Sequence, residues 1–166
     1  MTSNVWFTSD LHLGHIGSAR HRGFTSVEEH DAAIITHMQM VIGKRDKLFI
    51  LGDVCWNNQS LKLLGELPGV KELIIGNHDT LHTYEYLKYF NKIHGFRSYK
   101  NFWLSHCPIH PQEIYRHAGN IHGHIHKGAA TQNLGYPYYN VNQDYNNFCP
   151  VNYDTIVHFF NEHKEK

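Results

Sequence analysis

Lys47-Leu48-Phe49-Ile50-Leu51-Gly52-Asp53 and, one helical segment later, Glu72-Leu73-Ile74-Ile75-Gly76-Asn77-His78-Asp79 share one form. Each is a short apolar run, then a glycine, then polar residues able to bind a ligand. Short runs that are apolar throughout read as strands buried on both faces. Val5-Trp6-Phe7, ending at Asp10, is a third run of this kind. Between them lie helical signals. Ser26-Val27-Glu28-Glu29 is a capping-box pattern, and Val27, Ile34, Ile35, Met38, Val41 and Ile42 follow a helical stripe that Gly43 ends. Ser60 to Leu67 reads as a short helix stopped by Pro68-Gly69, and Thr80 to Tyr89 as another. After Ile93 the pattern becomes strand-rich: Phe96 to Tyr99 and Phe102 to Ser105 around a turn at Lys100-Asn101, then Ile121, Tyr138 to Val141, and Ile156 to Phe160. An alternating first half followed by a strand-rich second half predicts an α/β sandwich.

The chain has 166 residues, which fits one domain over 1–166. Lys+Arg and Asp+Glu are both 15, which argues against a broad basic surface for duplex nucleic acid. Histidine, with 16 copies, outnumbers Lys and Arg together. It is the commonest metal ligand and titrates nearest neutral pH, so composition raises a metal or acid–base hypothesis. No apolar run approaches the roughly 18 residues of a membrane helix. The N-terminal residues lack a signal-peptide pattern, and Cys55, Cys107 and Cys149 form no disulfide framework. A cytoplasmic protein is expected, with Glu162 to Lys166 as a solvated end.

The polar residues recur in one place. Asp10 and His12 follow the first strand, Asp53 the second, Asn77, His78 and Asp79 the third; His106 follows a later strand, and His124 and His126 come after Ile121. Ligands of open α/β sheets bind outside the carboxyl ends of the strands. Asp10, His12, Asp53, Asn77, His106, His124 and His126 offer carboxylate, imidazole and amide oxygen but no thiolate. That mixture suits Mn, Fe, Zn, Co or Ni. Seven donors exceed one tetrahedral ion and match two ions about 3.5–4 Å apart that share a carboxylate. Asp53, alone on its loop, is the natural bridge. Gly52, Gly76 and Gly123 allow the close turns.

In order along residues 10–126, Asp10-x-His12, Gly52-Asp53, Gly76-Asn77-His78-Asp79, His106 and Gly123-His124-x-His126 resemble the five-block signature of calcineurin-like metallophosphoesterases. Ser9-Asp10-Leu11-His12-Leu13-Gly14-His15, with Asp144 and Pro150-Val151, is similar to small uncapped bacterial and phage members. The resemblance implies a four-layer αββα sandwich. It implies that Asp10, His12, Asp53 and His126 hold one divalent ion and that Asp53, Asn77, His106 and His124 hold the other, manganese first among the candidates. It implies hydrolysis of phosphate esters by in-line attack of a metal-bridging hydroxide. His78 then serves the phosphate or the leaving oxygen, and Asp79 orients it by accepting its other ring N–H.

His15, three residues past His12, is a candidate substrate contact; Arg20 and Arg22 are candidates to clamp a phosphate, set against a solvated loop as the favoured reading. Cys55 and Cys107 read as small buried hydrophobes. The chain is too short for a large capping domain, which favours an accessible site and a phosphodiesterase acting on small or nucleotide-type substrates. Phosphomonoesterase activity is the alternative, followed by a non-enzymatic protein-binding scaffold and a nuclease. A nuclease would want a basic stripe or accessory domain that is not evident. The expected partner is a small phosphate ester, without membrane or stable nucleic-acid binding; oligomeric state stays open.

Overall fold

The computed structural model describes residues 3–128 and 134–164; the last two residues of the expected solvated end lie outside them. The chain runs β1 (Val5–Thr8), α1 (Ile16–His21), α2 (Val27–Val41), β2 (Lys47–Ile50), α3 (Asn58–Leu61), a 3-10 turn, β3 (Val70–Ile74), α4 (Thr83–Tyr86) and β4 (Lys92–His94). It continues with β5 (Arg97–Tyr99), β6 (Phe102–Leu104), α5 (Pro111–Ile114), β7 (Gly119–His122), β8 (Tyr138–Asn140), a second 3-10 turn, β9 (Val151–Asn152) and α6 (Tyr153–His163).

Two mixed sheets result. The first has the order β4-β3-β2-β1-β9, and the second β5-β6-β7-β8. β1 to β4 are mutually parallel, with Phe7 beside Phe49 and Ile50 beside Leu73, and β9 closes one edge antiparallel to β1. β6, β7 and β8 are parallel, and β5 pairs antiparallel with β6.

The side-chain alternation of β2 divides the core. Leu48 and Ile50 pack with Ile34, Ile35 and Met38 of α2, on the helical side. Phe49 and the following Leu51 turn the other way, toward Phe102, Leu104 and Ile121 of the second sheet. Full burial of one such side chain stabilises by about 1.5–3 kcal/mol, which explains the apolar runs Leu48 to Leu51 and Leu73 to Ile74; β3 also buries Lys71 and Glu72. The outer side of the second sheet is lined by the segment leading from β6 to β7. There Ile109 N donates to Asn120 Oδ1 (3.0 Å), and Trp103 Nε1 and Tyr138 OH donate to the Glu113 and Ile109 carbonyls (2.9 and 2.8 Å). That segment carries one helical turn, α5.

Two sequence expectations need correction. Ile156 to Phe160 is not a strand but the middle of α6, whose Ile156 and Phe160, one turn apart, enter the inter-sheet core. Thr80 to Tyr89 is helical only over Thr83–Tyr86. α1, β4, α5 and β9 were not anticipated.

Candidate metal centre

The loops after β1 and β2 run side by side. Asp10 N donates to Gly52 O (2.9 Å), His12 N to Asp53 O (3.0 Å) and Leu13 N to Val54 O (3.0 Å). Asp10, His12, Asp53 and His124 all have left-handed backbone, with φ of 57°, 49°, 54° and 67°. Such conformations in residues other than glycine cost on the order of 1–3 kcal/mol each and cluster at functional sites. Gly52 (φ 88°) is required sterically as well: a Cβ there would lie 2.5 Å from His106 Nδ1 and 2.6 Å from Gly76 Cα. The two sheets meet at this edge, where His124 N donates to Asp10 Oδ2 (2.9 Å) and His106 Nδ1 donates to Leu51 O (2.7 Å).

The side chains fall into two donor sets. In the first, His12 Nε2 is 3.3 Å from His126 Nε2, 3.9 Å from Asp10 Oδ1 and 3.7 Å from Asp53 Oδ2, and His126 Nε2 is 3.5 Å from Asp10 Oδ1. In the second, His106 Nε2 is 3.4 Å from Asp53 Oδ2, 2.9 Å from Asn77 Oδ1 and 3.2 Å from His124 Nδ1. Donors about 2.0–2.2 Å from one ion stand roughly 3.0–3.5 Å apart; five of these separations lie at 2.9–3.5 Å, and those from His12 to Asp10 and Asp53 are slightly wider, a spacing close to metal ligation. Asp53 Oδ2 belongs to both sets. Its other oxygen, Oδ1, accepts from His78 N (2.9 Å). All seven expected ligands are thus brought together.

Three further observations fit cations at this place. Asp10 Oδ1 is buried and has no hydrogen-bond partner among the described residues. His106 and His126 commit Nδ1–H to Leu51 O and Asp144 Oδ2 (both 2.7 Å), which aims each Nε2 at the donor set. The local charge also asks for positive balance: without a cation the Asp10 and Asp144 carboxylates hold a proton on the His126 imidazole, lifting it to about 9, and an ion bound at Nε2 would take that proton's place. Burial alone would raise the Asp53 carboxyl, but the hydrogen bond and charge of His106 bring it down to about 2. Burial pushes His12 down to about 4, so its imidazole is neutral near pH 7, as ligation requires.

The supporting residues differ from expectation in two respects. Asp79 does not orient the His78 ring. Its Oδ2 accepts from Asp53 N (3.0 Å) and Gly76 N (2.8 Å) and its Oδ1 from Val54 N (2.8 Å), so it locks the two ligand loops together. Arg22 is neither a substrate clamp nor a solvated loop residue, because its side chain is 3% exposed. It donates to Asp144 Oδ1 (2.7 Å) and to the Asp10 and Leu11 carbonyls (2.7 and 3.1 Å), and it meets His30 Nε2 (2.9 Å). His30 in turn contacts Asp31 (2.7 Å), whose other oxygen accepts from Gly14 N (2.8 Å). A buried polar chain therefore fastens the Asp10–Gly14 loop and, through Asp144, His126.

The rim is aromatic. The exposed His78 ring lies 5.7 Å from His12 and 5.9 Å from Trp56, and Trp56 stacks on His15 at 4.2 Å. Arg20 is exposed and is not among the residues brought to the donor sets. Cys55 is buried as expected; Cys107, expected to be buried, is exposed, and its thiol groups with His106 and His124 within 4.8 Å. Sequence reasoning missed Trp56. The available signal was a tryptophan three residues after Asp53, directly before the polar run Asn57-Asn58-Gln59-Ser60.

No protein-family model matches the chain. It is 43% identical over 86 residues to the gene 66 protein of Mycobacterium phage L5 and 44% identical over 85 residues to that of Mycobacterium phage D29. Each match covers 48% of this chain and 42% of the phage protein, so the matched part spans less than half of those relatives. An uncharacterized protein of Methanocaldococcus jannaschii is 29% identical over 166 residues, covering 92% of this chain and 89% of that protein. A crystal structure of a protein of unknown function from Aquifex aeolicus superposes with a TM-score of 0.76 at 27% identity, over 95% of this chain and 99% of that one. This similarity extends the two-sheet α/β arrangement to a solved structure.

Proposed function

We propose that the chain is a dinuclear-metal phosphoric ester hydrolase of the metallophosphoesterase type, acting on small phosphodiesters. In this reading the two sheets are the inner layers of a four-layer αββα sandwich. The observation that carries it is Asp53 Oδ2, common to two sets of N and O donors that also include Asp10, His12, Asn77, His106, His124 and His126. When bound, two dications supply a hydroxide nucleophile at neutral pH and neutralise phosphoryl charge. The chain's own residues do the rest. Asp144 and the Leu51 carbonyl hold His126 and His106 in the ligating tautomer. Asp79 keeps the Asp53 and Asn77 loops in register. His78, exposed beside His12, donates a proton to the departing oxygen.

The test is hydrolysis of bis-p-nitrophenyl phosphate and p-nitrophenyl phosphate by metal-stripped protein reloaded in turn with Mn, Ni, Co, Zn and Mg. The expected result is metal-dependent turnover, strongest with Mn and greater for the diester. His78→Ala should keep both ions and lose about 10²–10⁴-fold in turnover of alkyl esters, the usual worth of a proton donor. A monoester preference would turn the reading to a phosphatase. Two bound ions without turnover of any ester would leave the non-enzymatic scaffold.

A further inference from the structure

We infer that Trp56, braced by His15, is a stacking platform that selects esters with a planar aromatic group, the biological form of which is a nucleobase. The inference rests on the hydrolase reading above and assigns a residue to the organic part of its substrate.

Trp56 is held in place yet left open. Its backbone N–H donates to Leu13 O (2.8 Å), and the adjacent Cys55 forms a β-bridge with Leu13, both of them buried. The residue is nevertheless 51% exposed. Its indole stacks on His15 at 4.2 Å with 23° between the planes. His15 is itself fixed, with Nδ1 2.8 Å from Ser18 Oγ and accepting from Ser18 N (3.3 Å). From the ligand His12, ring centroids lead 5.7 Å to His78 and 5.9 Å onward to Trp56. A phosphate at the donor sets therefore has its leaving oxygen near His78 and the group beyond it near the indole. Another aromatic stack among the described residues, Phe96 on Trp103 at 4.5 Å, lies on the sheet that carries no residue of this rim, and its indole N–H is already bonded to Glu113 O. Stacking of a base on an aromatic side chain strengthens binding by roughly 5–150-fold and tolerates any base, because every base has a π-face.

The experiment compares thymidine 5′-monophosphate with ribose 5-phosphate, which keeps phosphate and sugar but lacks the base. Inhibition constants are read against turnover of bis-p-nitrophenyl phosphate by the manganese-loaded protein. The wild type should bind the nucleotide at least tenfold more tightly. Trp56→Ala should bring that ratio close to one, and Trp56→Phe should retain most of it. Independently of turnover, thymidine 5′-monophosphate should quench tryptophan fluorescence in the zinc-loaded wild type, where ribose 5-phosphate does not. That quenching should vanish in Trp56→Phe, which retains Trp6 and Trp103 as internal emitters. An inhibition ratio near one in the wild type, or one unchanged in Trp56→Ala, would overturn the platform while turnover leaves the hydrolase standing. Absence of all turnover would overturn the hydrolase, and the fluorescence titration then decides the platform alone: base-dependent quenching lost in Trp56→Phe supports it, and its absence overturns it.

Discussion

Asp144 acts on the donor cluster through His126. Its Oδ2 accepts the Nδ1 proton at 2.7 Å, which fixes the tautomer and aims Nε2 at Asp10 and His12. Its Oδ1 is paired with Arg22, and both side chains are nearly buried. Losing such an outer partner of a metal-binding histidine typically lowers metal affinity about 10–100-fold. Asp144→Asn should therefore weaken binding at the His12–His126 set by that factor, as measured by competition with a chromophoric chelator. Arg22 also loses its counter-charge, and stability should fall by up to about 3–5 kcal/mol. Unchanged affinity would mean that His126 is oriented by something else. The donors themselves could be read from the sequence, because each stands just beyond a strand. Arg22 is neither a phosphate clamp nor part of a solvated loop, and the sequence hides this because the contact that buries it reaches 122 residues along the chain, where no local pattern reports such a pair. Asp79 was misplaced for a related reason: its partners are backbone N–H groups of another loop, which residue types do not announce.

At the scale of elements, the three strands that deliver Asp10, Asp53 and Asn77 are legible from their short apolar runs at Val5 to Phe7, Leu48 to Leu51 and Leu73 to Ile74, although β3 begins two residues before Glu72 and buries Lys71 and Glu72 as well. α6 was not, since Ile156-Val157-His158-Phe159-Phe160 is rich in residues with strand preference. What makes it helical is Asn152, whose side chain accepts from Asp154 N (2.9 Å) as an N-cap, and the one-turn spacing of Ile156 and Phe160. Asp46 shows how elements are joined. It stands between α2 and β2 and accepts from Asn4 N (2.8 Å), Trp6 Nε1 (3.0 Å) and Gly43 N (2.9 Å). Burial would raise its carboxyl, but the hydrogen bonds from Gly43, Trp6 and Asn4 outweigh burial and set it below the ordinary value. A carboxyl depressed on folding adds stability above its unfolded pKa of about 3.9. That stability is lost as pH falls through the folded value. Asp46→Asn should destabilise by about 1–3 kcal/mol at pH 7, the usual range for leaving buried donors poorly paired. The deficit relative to wild type should shrink in urea melts near pH 3; a deficit independent of pH would remove the carboxylate from the account.

The whole molecule is two sheets that share one polar edge. Asp10, His12, Asp53 and Asn77 come from the sheet of β1 to β3, while His106, His124 and His126 follow β6 and β7 of the other. Away from this edge, the sheets are joined by the apolar layer around Phe7, Phe49, Phe102 and Ile121. An ion in either donor set would therefore cross-link the two sheets, and its binding energy would appear as stability of the fold as a whole. At a free metal concentration one hundred times Kd, one site adds about 2.7 kcal/mol. For a chain of this length each kcal/mol raises Tm by roughly 2–4 °C, so each occupied site should raise it by about 5–11 °C. Manganese titrated into metal-stripped protein should shift thermal unfolding upward without a plateau, in proportion to the logarithm of its concentration once the sites are filled. Asn77→Ala, which removes a donor from the His106 set alone, should weaken the shift while leaving that of the His12–His126 set. A Tm indifferent to chelator and metal alike would mean that the donors bind no ion between the sheets, and the cross-link would have to be abandoned whatever the chemistry of the rim.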